Sequence, residues 1–327
     1  MASADARASV SVALCTYNGE RWVGEQLSSI LDQSVPVAEV VVVDDGSTDG
    51  TLDVIAQVAA RSDIPVRVAA TERAGGIRAN MERTLRACTG DIIAMSDQDD
   101  VWHPDRIEQV LEEFAARPDA LLVHADARIV GADGSPSGGT LLGRLGASEE
   151  ERAALVLGEG WPVLLRRNLV TGATAAIRRE LLDLALPLGS SWVHDEWLAI
   201  IAASRGGVVL IDEPLIDYRV HGSNQIGAEE RTLGYRVRRM LASRRDRLEG
   251  LARRGEELVE RLEALGADEA VLAGARAKRD FDRERAEIPA SRWRRIGPVR
   301  RAARGGRYAR LASQGRLDMV RDLLAAP

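Results

Sequence analysis

The chain has 327 residues, 45% of them hydrophobic and 29% charged, with a formal net charge of −6. This is the composition of an ordinary globular protein long enough for one large α/β domain and an appendage. No apolar run approaches the ~20 residues needed to cross a bilayer, and the start of the chain, Met-Ala-Ser-Ala-Asp-Ala-Arg, lacks the apolar centre of a signal peptide. Cys15 and Cys88 supply neither a disulfide framework nor zinc spacing, so both are expected to be small buried residues of a protein kept in a reducing, cytoplasmic setting.

The net charge hides an asymmetry. Residues 1–227 carry 19 basic and 34 acidic side chains, a net of −15, whereas residues 228–327 carry 25 and 16, a net of +9. Every basic residue but Lys278 is an arginine. A step of this size predicts a boundary near 227, with a catalytic domain over 1–227 and an Arg-rich helical region over 228–327.

In chain order, residues 9–14 alternate weakly and Cys15-Thr-Tyr-Asn-Gly19 turns the chain. Val23, Leu27, Ile30 and Leu31 then share a helical face. Residues 40–43, four valines, read as a strand covered on both faces, and they stop at Asp44-Asp-Gly-Ser-Thr-Asp-Gly50. Leu52, Ile55, Ala56 and Ala59 form a second helical stripe, with Ser47 or Asp49 as its expected N-cap. Residues 66–69 read as a strand, 78–88 as a helix and 92–95 as a buried strand. Pro104 suits a first helical turn, and Ile107, Val110, Leu111 and Phe114 follow at helical spacing. With another strand at 120–124, this alternation predicts a largely parallel α/β sheet whose ligand lies at the carboxyl ends of the strands, where both acidic clusters fall.

The next part is less regular. A Gly/Ser/Pro loop is expected at 131–139, a capping box at Ser148-Glu-Glu-Glu151, a strand at 172–177 and a helix opening at His194-Asp195. Residues 208–211 and 215–218 read as two short strands. Beyond 228, Val237, Leu241, Leu248, Leu251, Leu258, Leu262 and Leu265 approximate heptad spacing, and Gly250 and Gly255 weaken a coiled coil, so a helical hairpin or one long helix packed on the domain is expected.

The chemistry concentrates in Asp91-Ile-Ile-Ala-Met-Ser-Asp-Gln-Asp-Asp-Val-Trp-His-Pro104. In an extended segment Asp97 and Asp99 point the same way, and two like charges that close repel unless a cation neutralises them. A hard divalent ion shared with a diphosphate meets that need. Asp97-x-Asp99-x-Val101 also matches the nucleophile motif of haloacid-dehalogenase-like phosphatases, which require a downstream lysine; the only lysine here stands in the helical tail. Asp44 and Asp45 suit hydrogen bonds to a nucleoside, or a solvated turn. Asp45, Ser47, Asp49 and Gly50 start like a calcium loop, but position twelve is Ala56, not the required Glu. The helix dipole favours an ionised Asp195 by roughly 0.3–1 kcal/mol, which suits a general base and equally an N-cap. His221 suits a metal ligand, a diphosphate contact or a structural role. Residues 291–310, with eight arginines among Trp293, Ile296, Val299 and Tyr308, suit peripheral contact with an anionic membrane or a solvated basic face. No nucleic-acid module accompanies them, and nucleic acid is not expected as a partner.

Taken in order, Cys15-Thr-Tyr-Asn-Gly19, Asp44 to Gly50, Ser96-Asp-Gln-Asp-Asp-Val-Trp102 and His194-Asp-Glu-Trp197 resemble the family 2 inverting glycosyltransferases. The form of the third motif and Tyr218-Arg-Val-His-Gly-Ser-Asn224 resemble the rhamnosyltransferase-like branch. The resemblance covers about residues 9–227 and implies a GT-A fold, a nucleotide-binding Rossmann-like half joined to an acceptor-binding half. It implies nucleoside contacts from Thr16, Tyr17 and Asp45, with Asn18, Asp44, Arg78, Asp97 and Gln98 completing the donor site. It further implies Mg²⁺ or Mn²⁺ held by Asp97, Asp99 and His221, and Asp195 as the base. Many family members have Glu-Asp where this chain has His194-Asp195. The implied reaction moves a sugar, rhamnose favoured, from a dTDP- or UDP-sugar to a hydroxyl of a cell-surface polysaccharide or lipid-linked glycan. Three other readings stand beside it: a phosphatase, a silent sugar-nucleotide-binding adaptor and a membrane scaffold.

Overall fold

The computed structural model describes residues 8–221, 244–289 and 291–324. The N-terminal Met1 to Arg7, the Gly222 to Asn224 end of one motif, the expected boundary near 227 and Val237 and Leu241 of the leucine stripe lie outside the described residues.

The first half builds as the hydrophobic pattern requires. Strand β1 (Val10–Thr16), helix α1 (Val23–Leu31), β2 (Glu39–Asp44), α2 (Thr51–Ala59), β3 (Val66–Ala70), α3 (Ile77–Ala87) and β4 (Ile92–Ser96) alternate, and the strands lie parallel in the order β3-β2-β1-β4. Val12, Leu14, Val40 and Val42 pack into the core on one face, Ala13, Val41, Ile93 and Met95 into that on the other, and all eight are buried. Helices on both faces explain why these strands read as continuous apolar runs. Neither Ser47 nor Asp49 is the N-cap of α2: Gly50 takes that place, and Asp49 accepts the Thr51 N–H instead.

Beyond β4 the sheet changes sense. It continues through β5 (Val101–Trp102), α4 (Arg106–Ala116), β6 (Leu122–Val130), β7 (Pro136–Thr140), α5 (Leu141–Leu145), α6 (Glu149–Val156), α7 (Trp161–Arg166), a 3-10 turn (Gly172–Thr174), β8 (Ala175–Arg178), α8 (Leu181–Ala185), α9 (His194–Ala203) and β9 (Val208–Arg219). The sheet order is β3-β2-β1-β4-β8-β6-β9-β5, with β7 on β6. β8 runs antiparallel between β4 and β6, and β5 is antiparallel to β9, so the sheet is mixed. The loop expected at 131–139 contains β7, which pairs with β6 through exposed residues that carry no apolar signal. The two strands expected at 208–211 and 215–218 are one, because β9 follows β6 past register shifts near Asp126 instead of breaking at Pro214. The capping box at Ser148 and Glu151 forms as read.

The C-terminal helices are α10 (Arg244–Ala264), α11 (Glu269–Ala286), α12 (Arg292–Ala302), α13 (Arg307–Leu311) and α14 (Arg316–Leu324). The hairpin reading holds: α10 and α11 pack together, and Leu258, Val259 and Leu262 join the core that contains Leu198 and Ile201 of α9. Gly255 permits the close approach, since a Cβ there would stand 2.9 Å from Arg279 Cα. Phe281, Val299, Tyr308 and Leu311 form a separate small core. No helix among the described residues is long and apolar enough to cross a membrane.

Candidate active site

The carboxyl ends of β1, β2 and β4 converge on a cavity of about 310 Å³, lined by Cys15, Thr16, Tyr17, Asn18, Trp22, Asp45, Ile77, Asn80, Asp97, Gln98, Asp99, Tyr218 and His221. Seven residues of the expected donor site thus meet in one place: Thr16, Tyr17, Asn18, Asp45, Asp97, Gln98 and Asp99. His221 joins them from the end of β9. Asp44, Arg78 and Asp195 are not among the lining side chains.

Local hydrogen bonding explains the sorting. Asp44 is fully buried, and its carboxylate accepts from Thr16 Oγ1 (2.7 Å), Gly46 N (3.1 Å), Ser47 N (2.7 Å) and Ser47 Oγ (2.6 Å). Those bonds fold the turn after β2, where Gly46 has a φ of 81°. Asp45, next in sequence, is left facing the cavity while accepting the Ala74 N–H at 2.6 Å. Asn18 carries the only positive φ among non-glycine residues described, and its Oδ1 accepts the Thr48 N–H at 2.9 Å, locking the β1 turn to the β2 turn. Gln98 reads the Tyr17 backbone as a strand neighbour would: Tyr17 N–H donates to Oε1 (2.8 Å) and Nε2 donates to Tyr17 O (3.0 Å). Its amide is therefore occupied in fixing the loop.

The acidic stretch divides likewise. Asp97 is half-buried in the cavity wall, and loss of solvation first, then the charges of Asp99 and Asp195, push its carboxyl up to about 7 against the pull of Arg106. Asp100 points away into the fold, where its Oδ1 accepts the Arg219 N–H at 3.0 Å; burial and its two acidic neighbours hold it well above the usual carboxylate range. Arg106 lies fully buried below the cluster with its guanidinium 3.8 Å from the Trp102 ring centroid, and burial lowers it to about 9 despite Asp100 and Asp97. Arg219 Nε donates to Asp99 O (2.8 Å) and Nη2 to Glu25 (2.8 Å). His221 Nε2 faces Asp99 Oδ2 at 2.8 Å, and its ring stacks on Trp22 at 3.9 Å. Cys88 is buried as expected, whereas Cys15 is only partly buried and borders the cavity beside Thr84.

Asp195 stands in the first turn of α9, outside the cavity lining but close enough to Asp97 for its charge to bear on that carboxyl. Val193, not Asp195, is the N-cap. Asp195 Oδ2 accepts the Gly172 N–H at 3.0 Å. Gly172 admits that contact, since a Cβ there would meet His194 Nε2 at 2.8 Å. Burial lowers His194 against the pull of Asp195, which favours the neutral imidazole. Glu196, on the following position, pairs with Arg254 of α10 at 2.7 Å. Arg254 also holds Ser191 O, and Glu257 of α10 accepts the N–H groups of Ser190 and Ser191. The C-terminal hairpin thereby fixes the loop that leads into Asp195.

Sequence reasoning passed over Trp22, Asn80, Arg106, Tyr218 and Arg219. Arg106 had a readable signal, because helical spacing from Val110 places it on the apolar face of α4. Tyr218 and Arg219 stood in the motif from Tyr218 to Asn224 without a role of their own, and Trp22 and Asn80 carried no signal, since their contacts join distant segments.

Residues 11–158 match the model of glycosyl transferase family 2. That segment is a glycosyltransferase family 2 domain. The uncharacterized glycosyltransferase alr2836 of Nostoc sp. is 28% identical over 221 residues, 66% of each chain. The dTDP-rhamnosyl transferase RfbG of Shigella flexneri is 27% identical over 226 residues, 66% of this chain and 74% of its own. The matched segments take up 66%, 42% and 36% of the lengths of three curated relatives, so this chain spans two thirds or less of each. Among solved structures, residues 1–349 of S. aureus TarS in complex with UDP-GlcNAc share the fold at a TM-score of 0.58 and 18% identity, covering 96% of this chain and 89% of that one. The mixed sheet, flanking helices and C-terminal helices are those of the GT-A glycosyltransferases.

Proposed function

We propose that this protein transfers a hexosyl group from a nucleoside-diphosphate sugar to an acceptor hydroxyl with inversion at the anomeric carbon. The observation that carries the reading is the meeting, in one cavity, of Tyr17, Asp45, Asp97 and Asp99 from three strand ends, with Asp195 bearing on the same acidic centre. Tyr17 and Asp45 take the nucleoside, with Thr16 and Asn18 shaping its walls and Gln98 holding the loop. Asp195, fixed by the Gly172 N–H at the start of α9, removes the acceptor hydroxyl's proton. The acceptor oxygen forms its bond to the anomeric carbon as the bond to the diphosphate oxygen breaks, and the electron pair leaves with the nucleoside diphosphate. No covalent sugar–enzyme intermediate is involved.

The donor set suits a hard divalent cation, Mg²⁺ or Mn²⁺. Two carboxylates share the cavity, one so disfavoured as an anion that it reaches about 7, and Arg106, whose charge offsets this, is itself weakened by burial. Among the described residues no three His, Cys, Asp or Glu side chains form a ready-made metal cluster, so Asp97 and Asp99 would share the ion with the donor's phosphates, with His221 orienting Asp99. The ion, when bound, would neutralise charge on the departing diphosphate. The resemblance to RfbG favours a dTDP-rhamnose donor, with UDP-sugars next, and a cell-surface polysaccharide or lipid-linked glycan as acceptor at the cytoplasmic face of a membrane. The division into a donor-binding domain over 1–227 and a helical region over 228–327 belongs to the same reading.

The test is calorimetric titration of UDP, dTDP and GDP, each with and without Mn²⁺, on the wild type and on Asp99→Asn. One nucleotide should bind, with a requirement for both metal and Asp99. Asp195→Asn should keep that affinity and lose transfer by roughly 10²–10⁴-fold. Failure of every nucleotide to bind, or full transfer by Asp195→Asn, refutes the reading.

A further inference from the structure

The C-terminal helices bury a small cluster of charged residues between them. Asp318 and Asp322 of α14 are fully buried, as are Arg285 of α11 and Arg295 of α12. Arg285 Nε donates to Asp322 Oδ2 at 2.6 Å, Tyr308 Oη donates to the same oxygen at 2.8 Å, and Arg295 Nη1 reaches Leu323 O at 3.4 Å. With the acidic positions of α14 committed to this centre, apolar positions face out: Leu317 is 64%, Val320 45% and Leu324 61% exposed, at the i, i+3, i+7 spacing of one helical stripe. The same holds on α12, where Trp293 is 88% and Ile296 49% exposed.

Scattered exposed apolar side chains are normal, but these are concentrated: five of the seven large exposed hydrophobics among the described residues lie between 293 and 324. Their surroundings are cationic. Residues 291–327 contain ten arginines and two acids, and both acids are buried. Arg294, Arg300, Arg301, Arg304, Arg310 and Arg316 are exposed and form no ion pair among the described residues.

We propose that the outer faces of α12 and α14 dock this protein onto an anionic lipid bilayer. Tryptophan, isoleucine and leucine side chains would enter the headgroup region while the arginines pair with lipid phosphates, the arrangement of an interfacial segment lying in the membrane plane. The charges choose between occupants. A symmetric contact with a second copy would set arginine against arginine, and a nucleic acid offers no apolar phase for four exposed aliphatic side chains and a tryptophan. The −15 net charge of residues 1–227 would turn the cavity-bearing part away from the same lipid, which orients the molecule. This inference does not depend on the glycosyl-transfer reading.

The test is co-sedimentation of the full chain with vesicles of phosphatidylcholine alone and of phosphatidylcholine mixed with phosphatidylglycerol. Binding is expected only to the mixed vesicles, falling as salt is raised. Arg300→Glu with Arg301→Glu should weaken the partition by more than about tenfold, and Trp293→Ser with Leu317→Ser by roughly tenfold. Both variants lie outside the donor cavity and should keep the circular dichroism and nucleotide binding of the wild type. Absence of binding to the mixed vesicles, or equal binding to both kinds, overturns the proposal. So does a wild-type dimer in light scattering that Trp293→Ser with Leu317→Ser converts to monomer, which would assign the face to a second copy.

Discussion

Replacing Arg254 by Met tests whether the C-terminal hairpin supports the loop before Asp195. The substitution keeps the aliphatic packing over Trp192, whose ring lies 5.4 Å from the guanidinium, but removes the pair with Glu196 and the bond to Ser191 O. The two side chains are 28% and 20% exposed, between the regimes of a surface pair worth ~0–1 kcal/mol and a buried pair whose one-sided loss costs ~3–5 kcal/mol. A loss of about 2 kcal/mol follows. Its pH dependence has a definite sign. Burial already raises the Glu196 carboxyl against the pull of Arg254, and without Arg254 it rises further. The folded state then holds a proton that the unfolded state has released, so stability falls as pH climbs above the ordinary glutamate value. The deficit of Arg254→Met should be small in mild acid and largest at neutral pH, and Arg254→Met with Glu196→Gln should recover most of it. Urea unfolding of wild type and variants at both pH values measures this, with other titrating groups cancelling between proteins at the same pH. An equal deficit at both pH values, or no recovery by Glu196→Gln, would refute the argument.

Three further outcomes can be checked. Gly19→Ala puts a Cβ 2.3 Å from Gln98 Oε1, so it should break the paired bonds to Tyr17 and raise the donor KM with little change in global stability; Gln98→Ala should do the same. Mn²⁺ should bind more tightly as pH rises through about 7, because the ion displaces the proton that burial, Asp99 and Asp195 favour on Asp97 against Arg106. Calorimetry in buffers of different ionisation enthalpy should register proton release on the acidic side. Gly255→Val should wedge α10 from α11 at Arg279 Cα and lower stability by roughly 1–3 kcal/mol, read as an earlier thermal midpoint.

The parallel half of the fold was legible because burial on both faces writes itself as runs such as Val40 to Val43, and helices on those faces as 3.6-residue stripes. The antiparallel half was not. β7 is made of exposed Pro, Ser, Gly and Thr, and β8 is four residues long, so neither carries a pattern that specifies its partner. The leucine spacing beyond 244 fits a heptad almost as well as a hairpin, and the break between Ala264 and Glu269, with the packing of α10 on α11, separates them.

At the site the sequence identified the acidic clusters without resolving the labour inside them. Asp44 and Asp45 are chemically identical neighbours, as are Asp99 and Asp100. Their fates differ because one of each pair meets donors already fixed by the fold: Asp44 the N–H groups and hydroxyl of Gly46 and Ser47 with Thr16, Asp100 the backbone of Arg219 more than a hundred residues away. A carboxylate so occupied is committed to structure, while its neighbour one position along borders the cavity. Which acid of each pair does so depends on contacts such as that of Asp100 with Arg219, which join segments that no local pattern connects.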